Sequence, residues 1–239
     1  YRVLMSNLSP TCFLSTQTFS AAPLIHALIE HALLYRVVNF WVVKEMVRLL
    51  GIVGSPRSGG NTEFVVREVL KAAGQEGAET EIISLGDYDL KPCNGCEKCF
   101  ETESCAINDD VEKIYEKIRK VDGIVIGSPV YFFNTTAQVK TFIDRIGYLN
   151  IARGRKPFRN KVGGAVAVAA RTGPANALSQ ISLFLSASRM ITVAPLVTVL
   201  ASAKGDAMKD TRGIEDAKEL GKNLTQIAKA TASLRETTP

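Results

Sequence analysis

Four cysteines fall within thirteen residues: Cys93, Cys96, Cys99 and Cys105, in the run Cys-Asn-Gly-Cys-Glu-Lys-Cys-Phe-Glu-Thr-Glu-Ser-Cys. The spacing is C-x2-C-x2-C-x5-C, and the only other cysteine is Cys12. Thiolates are soft anionic ligands, and such density in one loop points to a shared metal centre and to electron handling. Disulfides are the first alternative. They would close only tiny rings, and a chain of 239 residues can bury a core without them. Metal ligation in turn implies a reducing, cytoplasmic setting. The opening C-x2-C-x2-C matches the start of a bacterial ferredoxin run, although the last gap is five residues and no proline follows Cys105. Structural zinc more often draws on two separated pairs. Zinc and metal-free thiols stay open as alternatives.

The composition is that of an ordinary globular protein, 46% hydrophobic and 22% charged. A net charge of +5 is mild, and no basic–aromatic alternation marks a nucleic-acid surface. Residues 1–45 read differently from the rest. Ser20 to Val43 is rich in apolar residues, but His26, Glu30, His31, Arg36 and Asn39 interrupt it, which disfavours a membrane span. No secretory signal pattern is present either. Met46 stands directly before a first strand, so 1–45 is expected to be a leader outside the native domain, with a surface-lying or oligomer-contacting helix as the rival reading. Both histidines, His26 and His31, lie in this segment, which argues against histidine-based catalysis.

From Met46 onward strands alternate with helices, the pattern of a parallel sheet covered on both faces. Strands are expected at 47–53, 79–85, 123–127, 162–169 and 191–200. Helices are expected at 62–73, 110–120, 136–148, 175–188 and 213–234, with Asn108 or Asp109 capping the second. The alternation fits an α/β, flavodoxin-like three-layer sandwich with a five-stranded parallel sheet of order 2-1-3-4-5, whose ligand crevice is expected beyond the strand carboxyl ends.

Three loops end on that edge. Gly54-Ser55-Pro56-Arg57-Ser58-Gly59-Gly60-Asn61-Thr62 offers hydroxyls, tight turns and a helix N-terminus, a seat for a terminal monophosphate. It lacks the Walker and dinucleotide glycine patterns. Ser128-Pro129-Val130-Tyr131-Phe132-Phe133-Asn134 places three aromatics in a row, either as a wall for a planar ring or as a plug in the core beneath. Ala170-Arg171-Thr172-Gly173-Pro174 matters chiefly for its place on the same edge.

Across residues 46–239 these motifs resemble the flavodoxin-like family of NADPH-dependent FMN reductases, and within it the iron–sulfur flavoproteins. The resemblance rests on 54–62, on the cysteine loop with Asn108-Asp109-Asp110, and on Gly127 to Phe132 followed by Lys140 and Asp144-Arg145. It implies FMN phosphate contacts at Ser55, Arg57, Ser58, Asn61 and Thr62. Ring contacts are implied at Pro129, Val130, Tyr131, Phe132, Asn134, Arg171 and Thr172, although Arg171-Thr172-Gly173-Pro174 departs from the Gly-Gly form of the family. It further implies a [4Fe-4S] cluster on the four cysteines, and a homodimer or homotetramer in which a cluster approaches a neighbouring subunit's flavin. The expected activity is electron transfer between a ferredoxin-like donor and a small acceptor such as dioxygen, peroxide or a quinone. An NAD(P)H-dependent FMN or quinone reductase without a cluster, and a thiol or metal sensor on the same scaffold, are the competing readings. Asp144 and Arg145 read as a structural ion pair or as helix-surface charges.

Overall fold

The computed structural model describes residues 46–236; the expected leader, with Cys12, His26 and His31, lies outside the described residues. The strands are β1 (Arg48–Val53), β2 (Glu79–Ser84), β3 (Gly123–Pro129), β4 (Val162–Ala169), β5 (Ile191–Thr192) and β6 (Val197–Leu200). All pairings are parallel and the order is β2-β1-β3-β4-β5, with β6 also on β4. The order expected from the alternation is therefore the one observed. The expected fifth strand differs in one respect. It is cut into β5 and β6, and both pieces pair with β4. Pro195 lies in the gap, where it has no N–H to give to the ladder, and the Ala194 carbonyl before it accepts from Asn223 Nδ2 at 3.0 Å.

Alternation along β1 sends Leu50 and Ile52 to one face, and Leu49 and Val53 to the other. On the first face they meet α3 (Val111–Arg119), α4 (Ala137–Ala152) and α5 (Pro174–Ala187), through Ile114, Tyr115, Phe142, Ile146 and Ile181. On the second they meet α1 (Asn61–Gln75) and α6 (Thr211–Ala230), through Val65, Val66, Val69, Leu220 and Leu224. A Cβ at Gly221 would stand 2.1 Å from Val69 O, so the α1–α6 approach depends on that glycine. A short helix α2 (Lys98–Thr102), which the periodicity did not indicate, sits inside the cysteine loop, and a terminal α7 (Ala232–Glu236) follows a break after α6.

Lys161 ends the approach to β4 and is only 8% exposed. Its Nζ donates to Arg119 O at 3.0 Å and to Val121 O, closing the carbonyl end of α3. Burial pushes its pKa down to about 8, with Asp122 opposing. In the unfolded chain the amine titrates near ~10.4, so between these values the unfolded state holds the extra proton. Stability should therefore rise with pH across that window. Compared with Lys161→Met, the wild type is expected to gain about 2.5 kcal/mol between roughly pH 7 and pH 10 in urea unfolding. Parallel profiles for the two proteins would show that Lys161 is not the group responsible.

Candidate functional site

The carboxyl ends of β1, β3 and β4 are neighbours in the sheet, and each opens into one of the three loops. Gly54 begins the first loop, and its N–H donates to Gly127 O at 2.7 Å. A Cβ on Gly54 would meet Val139 Cγ2 at 2.0 Å, so the loop leaves the sheet tight against α4. Ser55 is buried and its Oγ accepts from Arg57 N at 3.1 Å, which turns the chain over the N-terminus of α1. No side chain caps that terminus. The uncapped amides and the helix dipole make it an anion seat. Arg57 and Ser58 are exposed beside it and Thr62 is buried.

Asn61 has a second task. Its Nδ2 donates to Ala203 O at 2.7 Å and its Oδ1 accepts from Gly205 N at 2.8 Å, fastening the loop after β6 to the first loop. That brings Lys204 Nζ within 3.6 Å of where a Cβ on Gly59 would lie. Lys204 is a cation beside the anion seat that sequence reading missed, because only the Asn61 clasp carries it there. Glu63 takes up one amide of the first loop. Its carboxylate accepts from Gly59 N and pairs with Arg67 at 2.7 Å. The bond from Arg67, then the Gly59 amide, hold its pKa below the ordinary glutamate value.

The second loop is a two-residue hairpin. Tyr131 and Asn134 exchange backbone hydrogen bonds of 2.9 and 3.1 Å across Phe132 and Phe133. Both phenylalanines have positive φ, 47° and 68°. This is the geometry of a type I′ turn, which normally takes Asn and Gly. The aromatics do not plug the core: Phe132 is 99% exposed and Phe133 58%. Strain of this kind is held where function needs the shape. Pro129 and Val130 run out of β3, and Val130 N donates to Val168 O at 2.8 Å.

The third loop touches the second through Gly173, at φ 88°, where a Cβ would lie 2.7 Å from Phe133 Cα. Arg171 and Thr172 are exposed on the same edge. Thr136 Oγ1 donates to Gly54 O at 2.7 Å and ties the first two loops. The residues expected to hold a phosphate and a ring thus lie on three mutually braced loops.

The four cysteines gather elsewhere, along the flank of α4. Cys93, Cys96, Cys99 and Cys105 line one pocket, with Arg145 and Tyr148 of α4 at its wall. Gly95, at φ 68°, and Glu97, at φ 59°, bend the loop between successive cysteines. Burial, and then the proximity of Cys105, Cys93 and Cys96, raise the Cys99 pKa. The raised value keeps Cys99 a neutral thiol unless a cation joins the four sulfurs.

Two arginines of α4 and its C-terminal cap bolt the loop down. Arg145 forks onto Asp109 through Nη1 at 2.7 Å and Nη2 at 2.9 Å, with both side chains essentially inaccessible. Nη1 also donates to Lys91 O, and Nη2 to Cys105 Sγ at 3.2 Å. Arg153 donates to Glu103 O at 2.8 Å and to Glu112 at 3.0 Å, while Glu112 accepts from Cys105 N at 3.2 Å. The expected pairing of Arg145 with Asp144 is corrected here. Neighbours on a helix do not face one another, and Asp144 pairs one turn back with Lys140. The expected cap is partly met: Asp109 Oδ1 accepts from Val111 N at 3.1 Å, although the cap position is Asp110. Burial raises the Asp109 pKa, but the bonds from Arg145, Lys91 and Val111 outweigh it and hold it below the usual carboxylate value.

Among the described residues no helix is long and apolar enough to cross a membrane. The fold resembles RosB solved with 8-demethyl-8-formylriboflavin-5′-phosphate, at TM-score 0.66 and 17% identity, over 79% of this chain and 81% of that one. It also resembles a flavodoxin from the Archaea at TM-score 0.54 and 15% identity, over 77% and 99%. By sequence, an iron-sulfur flavoprotein of Methanocaldococcus jannaschii is 44% identical over 77% of this chain and 98% of its own length. One from Methanosarcina thermophila is 32% identical over 76% and 95%. The pattern of the NADPH-dependent FMN reductase family matches residues 47–205. The chain accordingly belongs to that family of flavin-dependent oxidoreductases, among its iron–sulfur flavoproteins.

Proposed function

We propose that the chain binds FMN on the three loops and a [4Fe-4S] cluster in the cysteine pocket. In this reading it passes electrons between a ferredoxin-like donor, or NAD(P)H, and a small acceptor such as dioxygen, peroxide or a quinone. The observation that carries the reading is that four thiols, the chain's whole described cysteine complement, line one pocket braced by α4. Among the described residues no three His, Cys, Asp or Glu side chains converge as a site for one metal ion. Four cysteines on one pocket match the ligand count of a [4Fe-4S] cluster, one thiolate to each iron.

When bound, FMN supplies two-electron chemistry and a cubane supplies one-electron chemistry, so their pairing converts one into the other. The residues have distinct tasks. The uncapped α1 terminus, Ser55, Arg57 and Ser58 would hold the phosphate; Thr62 packs beneath them. The Tyr131–Asn134 hairpin and the Arg171-Thr172 loop would border the ring. No acid–base pair is assigned, because electron transfer proceeds by proximity. A homodimer or homotetramer in a reducing compartment completes the reading.

Anaerobic purification with iron, sulfide and flavin assays tests it. The expected result is one FMN and about four irons per chain, with the iron lost and the FMN kept in Cys93→Ser. Fewer than about two irons after reconstitution would overturn the cluster. Rapid flavin bleaching by NADPH, unaltered in Cys93→Ser, would establish the reductase without a cluster. Failure to hold FMN at all would leave the sensor reading.

A further inference from the structure

Arg145 is a charge buried at some cost to the fold. Its side chain is 1% exposed, on the sixteen-residue α4, and it faces inward to the cysteine loop instead of solvent. It meets one loop throughout, at both oxygens of Asp109, at Lys91 O and at Cys105 Sγ. Its Nε is buried with no partner. Beyond the ion pair, Nη2 gives its second hydrogen to a thiol 3.2 Å away.

The geometry points to Arg145 as a positioning residue that fixes Cys105 as a cluster ligand and raises the cluster's reduction potential by donating to its sulfur. This rests on the cluster reading above. Adding an electron to an iron–sulfur unit increases negative charge on its thiolate sulfurs, so a donor aimed at one sulfur stabilises the reduced form more than the oxidised form. The effect is strong because the donor is buried, where water does not screen it. Asp109 neutralises the net charge of the pair, but it takes only one of the two Nη2 hydrogens, and the other reaches the thiol. A lysine brings the same charge without the planar fork, and cannot span a carboxylate, a carbonyl and a sulfur together.

The test uses anaerobic, iron-loaded holoprotein. The couple is [4Fe-4S]2+ plus one electron giving [4Fe-4S]+, with dithionite as reductant and mediators present, followed by the reduced cluster's paramagnetic signal. In Arg145→Lys the cluster midpoint is expected to move to more negative potential, while the FMN midpoint of the same sample stays in place. A purely structural arginine would not produce that split. An unshifted or more positive cluster midpoint at full iron content overturns the inference. If Arg145→Lys fails to hold iron, wild-type protein labelled with nitrogen-15 arginine decides. Hyperfine coupling from an arginine nitrogen to the reduced cluster supports the contact, and its absence overturns it. Both failures occur on iron-loaded protein. A wild type that takes up no iron instead removes the cluster reading, and this inference with it.

Discussion

Asp109→Ala should lower the unfolding free energy of the metal-free protein by about 3–5 kcal/mol, the usual cost of stranding one partner of a buried ion pair. The Asp109 carboxylate is fully buried and receives both guanidinium nitrogens of Arg145, the Lys91 amide at 2.9 Å and the Val111 amide at 3.1 Å. Removing it leaves a buried cation and two unpaired amides in one place. The cysteine loop should then loosen as well, because Lys91 and Val111 stand at its two ends. Urea unfolding at neutral pH measures the loss, and limited proteolysis between α2 and α3 reports the loop. Adding Arg145→Met is expected to recover part of the stability, since an apolar replacement of a whole buried pair is often nearly neutral. A loss below about 1 kcal/mol would mean that the pair is not buried in solution.

The same group fixes an acid limit. Because its folded pKa is depressed, the unfolded chain binds the proton first as pH falls. The Asp109 contribution is complete above the unfolded value near ~3.9 and disappears as pH drops through the lower folded value. Wild type should therefore lose stability steeply in that acid window, and Asp109→Ala should show a shallower slope there.

Much of this architecture was legible because it repeats. Apolar strands such as Val162–Ala169 and helices with period near four gave the alternation, and the alternation gave the sheet order. The cysteine run and the Ser/Gly loop were legible because their chemistry is local in sequence. The supporting interactions were not. Arg145 finds Asp109 across 36 positions, and the adjacent Asp144 offered a false partner. Lys204 arrives beside Gly59 only through the Asn61 clasp. Pro195 did carry a signal, since proline inside a strand marks a break, and the strand is split there. Phe132-Phe133 gave no turn signal at all, because a type I′ turn announces itself by Asn or Gly.

That hairpin yields the second large prediction. Two bulky residues in the left-handed region cost about 1–2 kcal/mol each, and the exposed Phe132 regains almost nothing by burial. Replacing the pair, Phe132→Asn with Phe133→Gly, gives the turn the residues it ordinarily takes. Glycine returns roughly 0.4–1 kcal/mol through the freer unfolded chain, so a net gain of about 2 kcal/mol is expected in the flavin-free protein. For a domain of this size that is a rise in melting temperature of about 4–8 °C. FMN should bind about tenfold more weakly, because an aromatic side chain packed on a planar ring contributes about 0.5–1.5 kcal/mol. Calorimetry of the flavin-free protein and fluorescence titration with FMN measure the two effects on one sample. Stabilisation without weakened binding would remove the aromatic rings from the flavin site. Weakened binding without stabilisation would mean that the turn relaxes in solution and stores no strain. Only the two together identify a hairpin whose stability is given up to hold its aromatics where a ring can meet them.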